Sequence, residues 1–192
     1  ITRISMHCRC LRSCGLRCIV IVEIPISSDY MSRAKEKASS VGILQGSITG
    51  GMSNVVGAIG EVIVADIIGA TEANTYNYDL VKDGNRIDVK TKRCNTKPQS
   101  NYDCSVASHG SKQDCDSYVF VRILTDLSKA WILGSIGKQD YYARATRYKK
   151  GQIDPSNGFT FKADCYNLPI SELEPINEIK GESETILIRS VS

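Results

Sequence analysis

The dipeptide Asp83-Gly84 is the strongest local constraint in this chain. A two-residue hairpin of type I′ needs positive φ at both central positions, and Asp-Gly is one of the few pairs that accept it. Asp79-Leu80-Val81-Lys82 precedes it, and Asn85-Arg86-Ile87-Asp88-Val89-Lys90 follows. With the turn placed there, Lys82 faces Asn85 and Asp79 falls opposite Asp88. Opposed residues hold their Cβ atoms about 4.5–5.5 Å apart, where two carboxylates repel unless positive charge lies between them. Side chains alternate along a strand, so Asp88 and Lys90 share a face with Asp79 while Ile87, Val89 and Thr91 point to a core. A solvated hairpin face would explain an acid-x-lysine triplet by itself. The register and the helix upstream favour a site.

That helix is predicted over residues 55–68, capped by Ser53 or Asn54 and closed by Gly69. Stepped at about 100° per residue, Glu61 shares its face with Gly57, Ala58, Val64, Ala65 and Ile68, and the opposite face holds Ile59 and Ile63. The helix is apolar almost all round and therefore buried. Gly57 and Gly60 let a neighbouring backbone approach. A carboxylate on such a face is costly unless it is paired, protonated or bound to a metal.

The remaining pattern reads as follows. Residues 19–26 suggest a short strand or extended arm. A basic helix over about 30–40, capped by Ser28 or Asp29, carries Arg33, Lys35 and Lys37 on what reads as a solvated face. Residues 42–51 are loop. The hairpin strands span 74–81 and 85–92, and a third strand spans 102–107. A polar connection over 108–117 contains Gln113. The unbroken apolar run 118–124 reads as a buried central strand, and 130–136 as a fifth strand. A helix over 138–148 interleaves Arg144 and Arg147 with tyrosines, a composition that suits a nucleic-acid backbone as well as a plain surface. Residues 159–168 and 185–191 suit peripheral strands. The expected fold class is α/β, a mixed β-sheet flanked by helices.

A chain of 192 residues, 42% hydrophobic and 23% charged, suits one globular domain with a real core. No apolar run approaches the ~20 residues that span a bilayer, and an intracellular, cytoplasmic protein is expected. Charge is uneven. Arg3, Arg9, Arg12 and Arg17 fall in residues 1–18 with no acid, leaving 20 basic against 21 acidic residues elsewhere. Any nucleic-acid contact must then come from local patches. Residues 1–18 also hold Cys8, Cys10, Cys14 and Cys18, whose spacing is not a familiar zinc pattern. They read as a disordered or non-native leader before a single domain over 19–192. The default for the eight cysteines is free thiols.

Glu61, Asp79, Asp88 and Lys90 thus converge on one proposed patch. Hard oxygen donors without histidine point to Mg²⁺, with Mn²⁺ as a substitute. Such an ion beside a lysine suits hydrolysis of a phosphodiester. Gly60-Glu61 in a buried helix, Tyr78-Asp79, then Asp88-Val89-Lys90 in a following strand resembles the PD-(D/E)xK nuclease superfamily. That group includes restriction endonucleases, Holliday-junction resolvases and phage exonucleases. The match covers residues 54–136, and Trp131-Ile132-Leu133-Gly134-Ser135-Ile136 resembles small phage and prokaryotic nucleases. Tyr78 stands where the family often has proline, and the connection over 108–117 lacks the helix of many members. The resemblance implies a restriction-endonuclease-like core. It implies that Asp79, Asp88 and the Val89 carbonyl hold the metal, that Glu61 holds it directly or through water, and that Lys90 is the catalytic lysine. It further implies DNA as partner, with Lys92, Arg93, Gln113, Arg144 and Arg147 as candidate contacts. A homodimer is compatible with it, and a phage-encoded member would act in the host cytoplasm.

Two other classes compete. One is a non-catalytic nucleic-acid-binding module on the same fold. The other is a metal or redox protein built on the four N-terminal cysteines. The chain has no G-x-x-x-x-G-K-[ST] loop. With His7 and His109 alone, a histidine-rich metallo-hydrolase site is excluded.

Overall fold

The computed structural model describes residues 20–40, 52–73, 75–155 and 158–176, the side chains of 52–54 and 109 aside. The expected leader with its four cysteines, the loop at 42–51 and the strand at 185–191 lie outside them. Two sheets form. The larger has strand order β1-β7-β6-β4-β3-β2, built from β1 (Val22–Pro25), β2 (Thr71–Glu72), β3 (Leu80–Lys82), β4 (Asn85–Cys94), β6 (Ser117–Leu124) and β7 (Lys129–Gly137). The smaller has order β5-β9-β8, from β5 (Asp103–Ala107), β8 (Thr146–Tyr148) and β9 (Cys165–Pro169). Within the larger sheet β4 and β6 run parallel, and the other pairs are antiparallel.

The hairpin forms as its turn demands. Asp83 and Gly84 have φ of 48° and 79°, and Lys82 pairs with Asn85, Val81 with Arg86 and Leu80 with Ile87. The first strand is shorter than expected. Residues 75–78 form a turn instead, because the Thr75 hydroxyl accepts from the Tyr78 N–H at 3.0 Å and donates to the Tyr78 carbonyl at 2.8 Å. Such local side-chain bonds compete with strand pairing.

Helix α1 (Ser28–Ser40) and helix α2 (Met52–Ile68) lie on one face of the large sheet. Ser27 caps α1, accepting from the Tyr30 N–H at 3.2 Å. The cap is thus one residue before the expected Ser28 or Asp29. Gly69 closes α2 with φ of 66°, and the Ala70 N–H reaches back to the Ala65 carbonyl at 2.9 Å. This is the left-handed stop that glycine permits. Val56, Ile59, Ile63 and Val64 bury against Ile87, Val89, Val119, Val121 and Ile132. The other face of the sheet carries the small sheet and α3 (Lys138–Arg144), packed on Tyr118, Phe120, Trp131 and Leu133.

This corrects two expectations. The third strand, β5, does not join the mixed sheet: it leaves it and pairs with β9 in the smaller one. A parallel β4–β6 pair needs a crossover, and the chain makes it through β5 and a 3₁₀ turn (Ser108–Lys112) over the face opposite α2. The helix expected over 138–148 also stops at Arg144, and residues 146–148 join the small sheet as β8. The buried strand expected at 118–124 is β6, at the centre of the large sheet.

Gly60 sets how closely α2 approaches β4. A Cβ placed there would lie 2.0 Å from Thr91 Oγ1 and 3.2 Å from Thr91 Cβ. Rotating Thr91 cannot relieve the second contact, so α2 would have to move off the strand. Gly60→Ala gains about 1 kcal/mol of helix propensity but is expected to be destabilising overall by roughly 1–3 kcal/mol through overpacking. A chemical melt would show this as a lower midpoint, and a variant as stable as the parent would mean that the contact is slack.

Candidate active site

The site forms just before β3 begins, beside the middle of β4. The Asp79 N–H donates to the Ile87 carbonyl at 2.9 Å, holding the residue opposite the start of β4. Its Oδ2 accepts from the Val89 N–H at 2.7 Å. Alternate residues of a strand direct their backbone groups to the same edge, so the Val89 carbonyl lies on the edge that Asp79 occupies. Asp88 and Lys90 stand on the face opposite α2, in register with Tyr118 and Phe120 of β6. Lys90 Nζ is 2.5 Å from Asp88 Oδ2 and lies over the Tyr118 ring at 5.8 Å from its centroid.

The parallel pairing decides what else arrives. Because Ile87 pairs with Ser117, the returning end of the crossover passes the start of β4. Arg86 clamps it there. Its Nε and Nη2 donate to both oxygens of Asp116 at 3.0 and 2.8 Å, and Nη1 donates to Asp114 Oδ2 at 2.5 Å. The guanidinium holds the Asp116 carboxyl below its ordinary range. Gln113 is thereby fixed over the site: its Oε1 accepts from Lys90 at 2.9 Å, and its Nε2 donates to Asp88 Oδ1 at 3.4 Å and to the Tyr76 carbonyl at 3.2 Å.

Asp79, Asp88, Lys90 and Gln113 therefore meet, and Val89 joins them through its backbone. Glu61 stands differently. Its Oε2 pairs with Lys37 Nζ at 2.8 Å, and the same ammonium is 2.6 Å from Glu72 Oε2. Lys37 was expected on a solvated face, yet its side chain is 8% exposed. The missed signal was its position beside Ala34 and Ala38, small residues that let α1 lie close to its neighbours. Glu61 remains near enough to act on Asp79. Burial first, then the charges of Glu61 and Asp88, push the Asp79 carboxyl up to about 8.

No protein-family model matches this chain, and no curated protein matches it. What the site can hold must be read from its own groups.

Asp88 Oδ2 is buried and has no hydrogen-bonded partner despite the ammonium beside it. Asp79 is an acid that its surroundings discourage from ionising. Two such oxygens beside β4, with the backbone carbonyl of Val89 next in sequence after Asp88, fit a hard divalent cation. Among the described residues no three Asp, Glu, His or Cys side chains stand in metal-holding geometry. The fit is therefore to a two-carboxylate site, and Glu61 does not join it while Lys37 holds its oxygen.

The other candidate contacts disperse. Lys92 follows Lys90 on the same face of β4, and Arg93 lies on the alternate face. Arg144 pairs with the Glu172 carboxylate and donates to the Glu172 carbonyl at 2.9 Å. Arg147, more than half exposed, is 3.8 Å from Asp164 Oδ2. Cys94, Cys104, Cys115 and Cys165 are free thiols. Among the described residues no helix is long and apolar enough to cross a membrane.

Proposed function

We propose that the chain is a Mg²⁺-dependent deoxyribonuclease with a PD-(D/E)xK-type site on a restriction-endonuclease-like core. The observation that carries this reading is the meeting of Asp79, Asp88 and Lys90 beside β4, with Asp79 pushed up to about 8 by burial and two neighbouring carboxylates. Acids crowded so that one resists ionisation are a recurring feature of functional sites.

Asp79, Asp88 and the Val89 carbonyl would hold the cation, which would supply positive charge to a phosphate and favour ionisation of a nearby water. The chain's own groups do the rest. Lys90 presents an ammonium that stabilises negative charge developing on phosphate oxygens and can exchange a proton at Nζ. Gln113 Oε1 fixes Lys90 against rotation, while its Nε2 orients Asp88. Tyr118 gives the ammonium an aromatic floor.

The paired lysines favour a second reading, a nucleic-acid-binding module without catalysis. Lys90 lies against Asp88 and Lys37 against Glu61, and a site permanently closed on its own cations would bind and not cut. Incubation with supercoiled plasmid, linear duplex and single-stranded DNA in Mg²⁺, Mn²⁺ or EDTA separates the two. Metal-dependent cleavage is expected. Tight binding in EDTA with no cleavage under any condition would replace the nuclease by the binding module.

A further inference from the structure

Beyond Lys90, the face of β4 opens into a cavity of about 320 Å³ lined by Lys90, Lys92, Cys104, Ser105, Phe120 and Arg122, among others. Lys92 and Arg122 are partners in the parallel register of β4 and β6, so two cationic side chains stand side by side on one face. Neither forms an ion pair among the described residues. Arg122 is 8% exposed, and Nη2 is engaged by the Asp103 carbonyl at 2.5 Å. The Lys92 side chain makes no hydrogen bond among the described residues. The carboxylate that acts on it, Asp103, accepts from Asn167 Nδ2 at 3.0 Å. Desolvation and the Arg122 charge hold the Lys92 ammonium below its ordinary range, although the residue as a whole is exposed. Asp103 is the one carboxylate acting on both cations, and it forms an ion pair with neither, so two like charges share a single, unpaired counterion, an arrangement that is costly. An anion between them would relieve that cost.

We propose that the Lys92–Arg122 cavity is a phosphate subsite, holding an internal phosphodiester of the DNA strand next to the one at Lys90. The identity of the ligand rests on the nuclease reading; the cation pair and the cavity do not. Lys92 is two residues past Lys90, a step of about 6.6–6.8 Å along a strand, of the order of the distance between successive phosphates of a nucleic-acid backbone. A subsite there would fix the register of the strand over the carboxylates without reading its sequence.

Lys92→Met is the variant of choice, because the Lys92 side chain has no hydrogen-bonded partner to lose and relief of the Arg122 repulsion should keep the thermal midpoint from falling. Binding of a covalently closed single-stranded circle and of linear strands with 5′-hydroxyl or 5′-phosphate ends is measured in EDTA across a salt series. Lys92→Met should weaken all three by about three- to tenfold and lower the slope of log K against log salt by about 0.7. Lys35→Met on α1, across the sheet, should change neither. An unchanged slope in Lys92→Met, or no binding by the wild type, overturns the subsite. A loss confined to the 5′-phosphorylated strand overturns it in favour of a terminal-phosphate pocket. Wild-type cleavage with an unaltered Lys92→Met slope removes the subsite alone. A lowered slope with a wild type that never cleaves removes the nuclease alone.

Discussion

Asp88→Asn is expected to reduce metal-dependent DNA cleavage by about a thousandfold or more while the fold survives. Asp88 is 4% exposed, and asparagine keeps its shape and one acceptor oxygen. What disappears is the negative charge that the cation needs. Lys90 loses its ion pair but keeps Gln113 Oε1 at 2.9 Å, and a quarter of its side chain is open to water. The substitution is sharper than Lys90→Ala. Removing the lysine leaves the Asp88 carboxyl buried without its ion-pair partner, and breaking a buried pair from one side costs about 3–5 kcal/mol, an upper figure here because Lys90 is partly exposed. A gel assay of plasmid nicking, run beside a thermal melt, reads both quantities. Wild-type cleavage by Asp88→Asn would end the nuclease reading. Loss of cleavage together with loss of cooperative melting would assign Asp88 to folding and remove it from the chemistry.

Asp79→Asn is expected to stabilise the protein in metal-free buffer near pH 8 and to have little effect near pH 4. In the unfolded chain this carboxyl titrates at about 3.9, and in the fold it is pushed up to about 8. Below the lower value both states hold the proton and the fold bears no penalty. As pH rises, the unfolded state loses the proton first, so wild-type stability falls across this window and levels off above the folded value. The causes are burial, then Glu61 and Asp88, opposed by the Val89 N–H and the Lys90 charge. Asparagine retains an acceptor for the Val89 N–H and carries no charge, so the difference between variant and wild type isolates this carboxyl. Allowing for water that reaches a half-buried side chain, the gain near pH 8 is roughly 2–4 kcal/mol, or about 2–4 °C of midpoint per kcal/mol for a domain of this size. Melts in EDTA at pH 5 and pH 8 test it. A variant less stable than wild type at pH 8 would show that Asp79 is well solvated or already neutralised, and would remove the main electrostatic support for a cation here.

The contrast between α1 and α2 shows how far single-sequence patterning reaches. In α2 nearly every position is apolar, so burial followed from composition alone, and Val56, Ile59, Ile63 and Val64 are buried as that pattern requires. In α1 three cations at positions 33, 35 and 37 looked alike. Arg33 is bonded to Asp66 at 2.7 and 2.9 Å, whereas Lys37 is buried between Glu61 and Glu72. Which of them turns inward depends on where α2 and β2 lie, and that is not written in α1. The Lys37–Glu61 pair accordingly engages one oxygen of the carboxylate expected beside the metal.

Local chemistry determined the hairpin and its register, since Asp83-Gly84 accepts positive φ at both positions and few pairs do. It also determined the glycine stop of α2, the core strand β6, and the shared face of Asp88 and Lys90 on β4, because side chains alternate with a period of two; Asp79 falls just before β3 and is held by the Val89 N–H. The tertiary structure alone decided the partition of the strands into two sheets, the delivery of Gln113 to Lys90, and the pairing of Lys92 with Arg122. All three depend on β4 lying parallel to β6. Parallel pairing joins residues about thirty positions apart through a crossover whose path is set by the packing of whole layers, and no local pattern in the chain encodes that path.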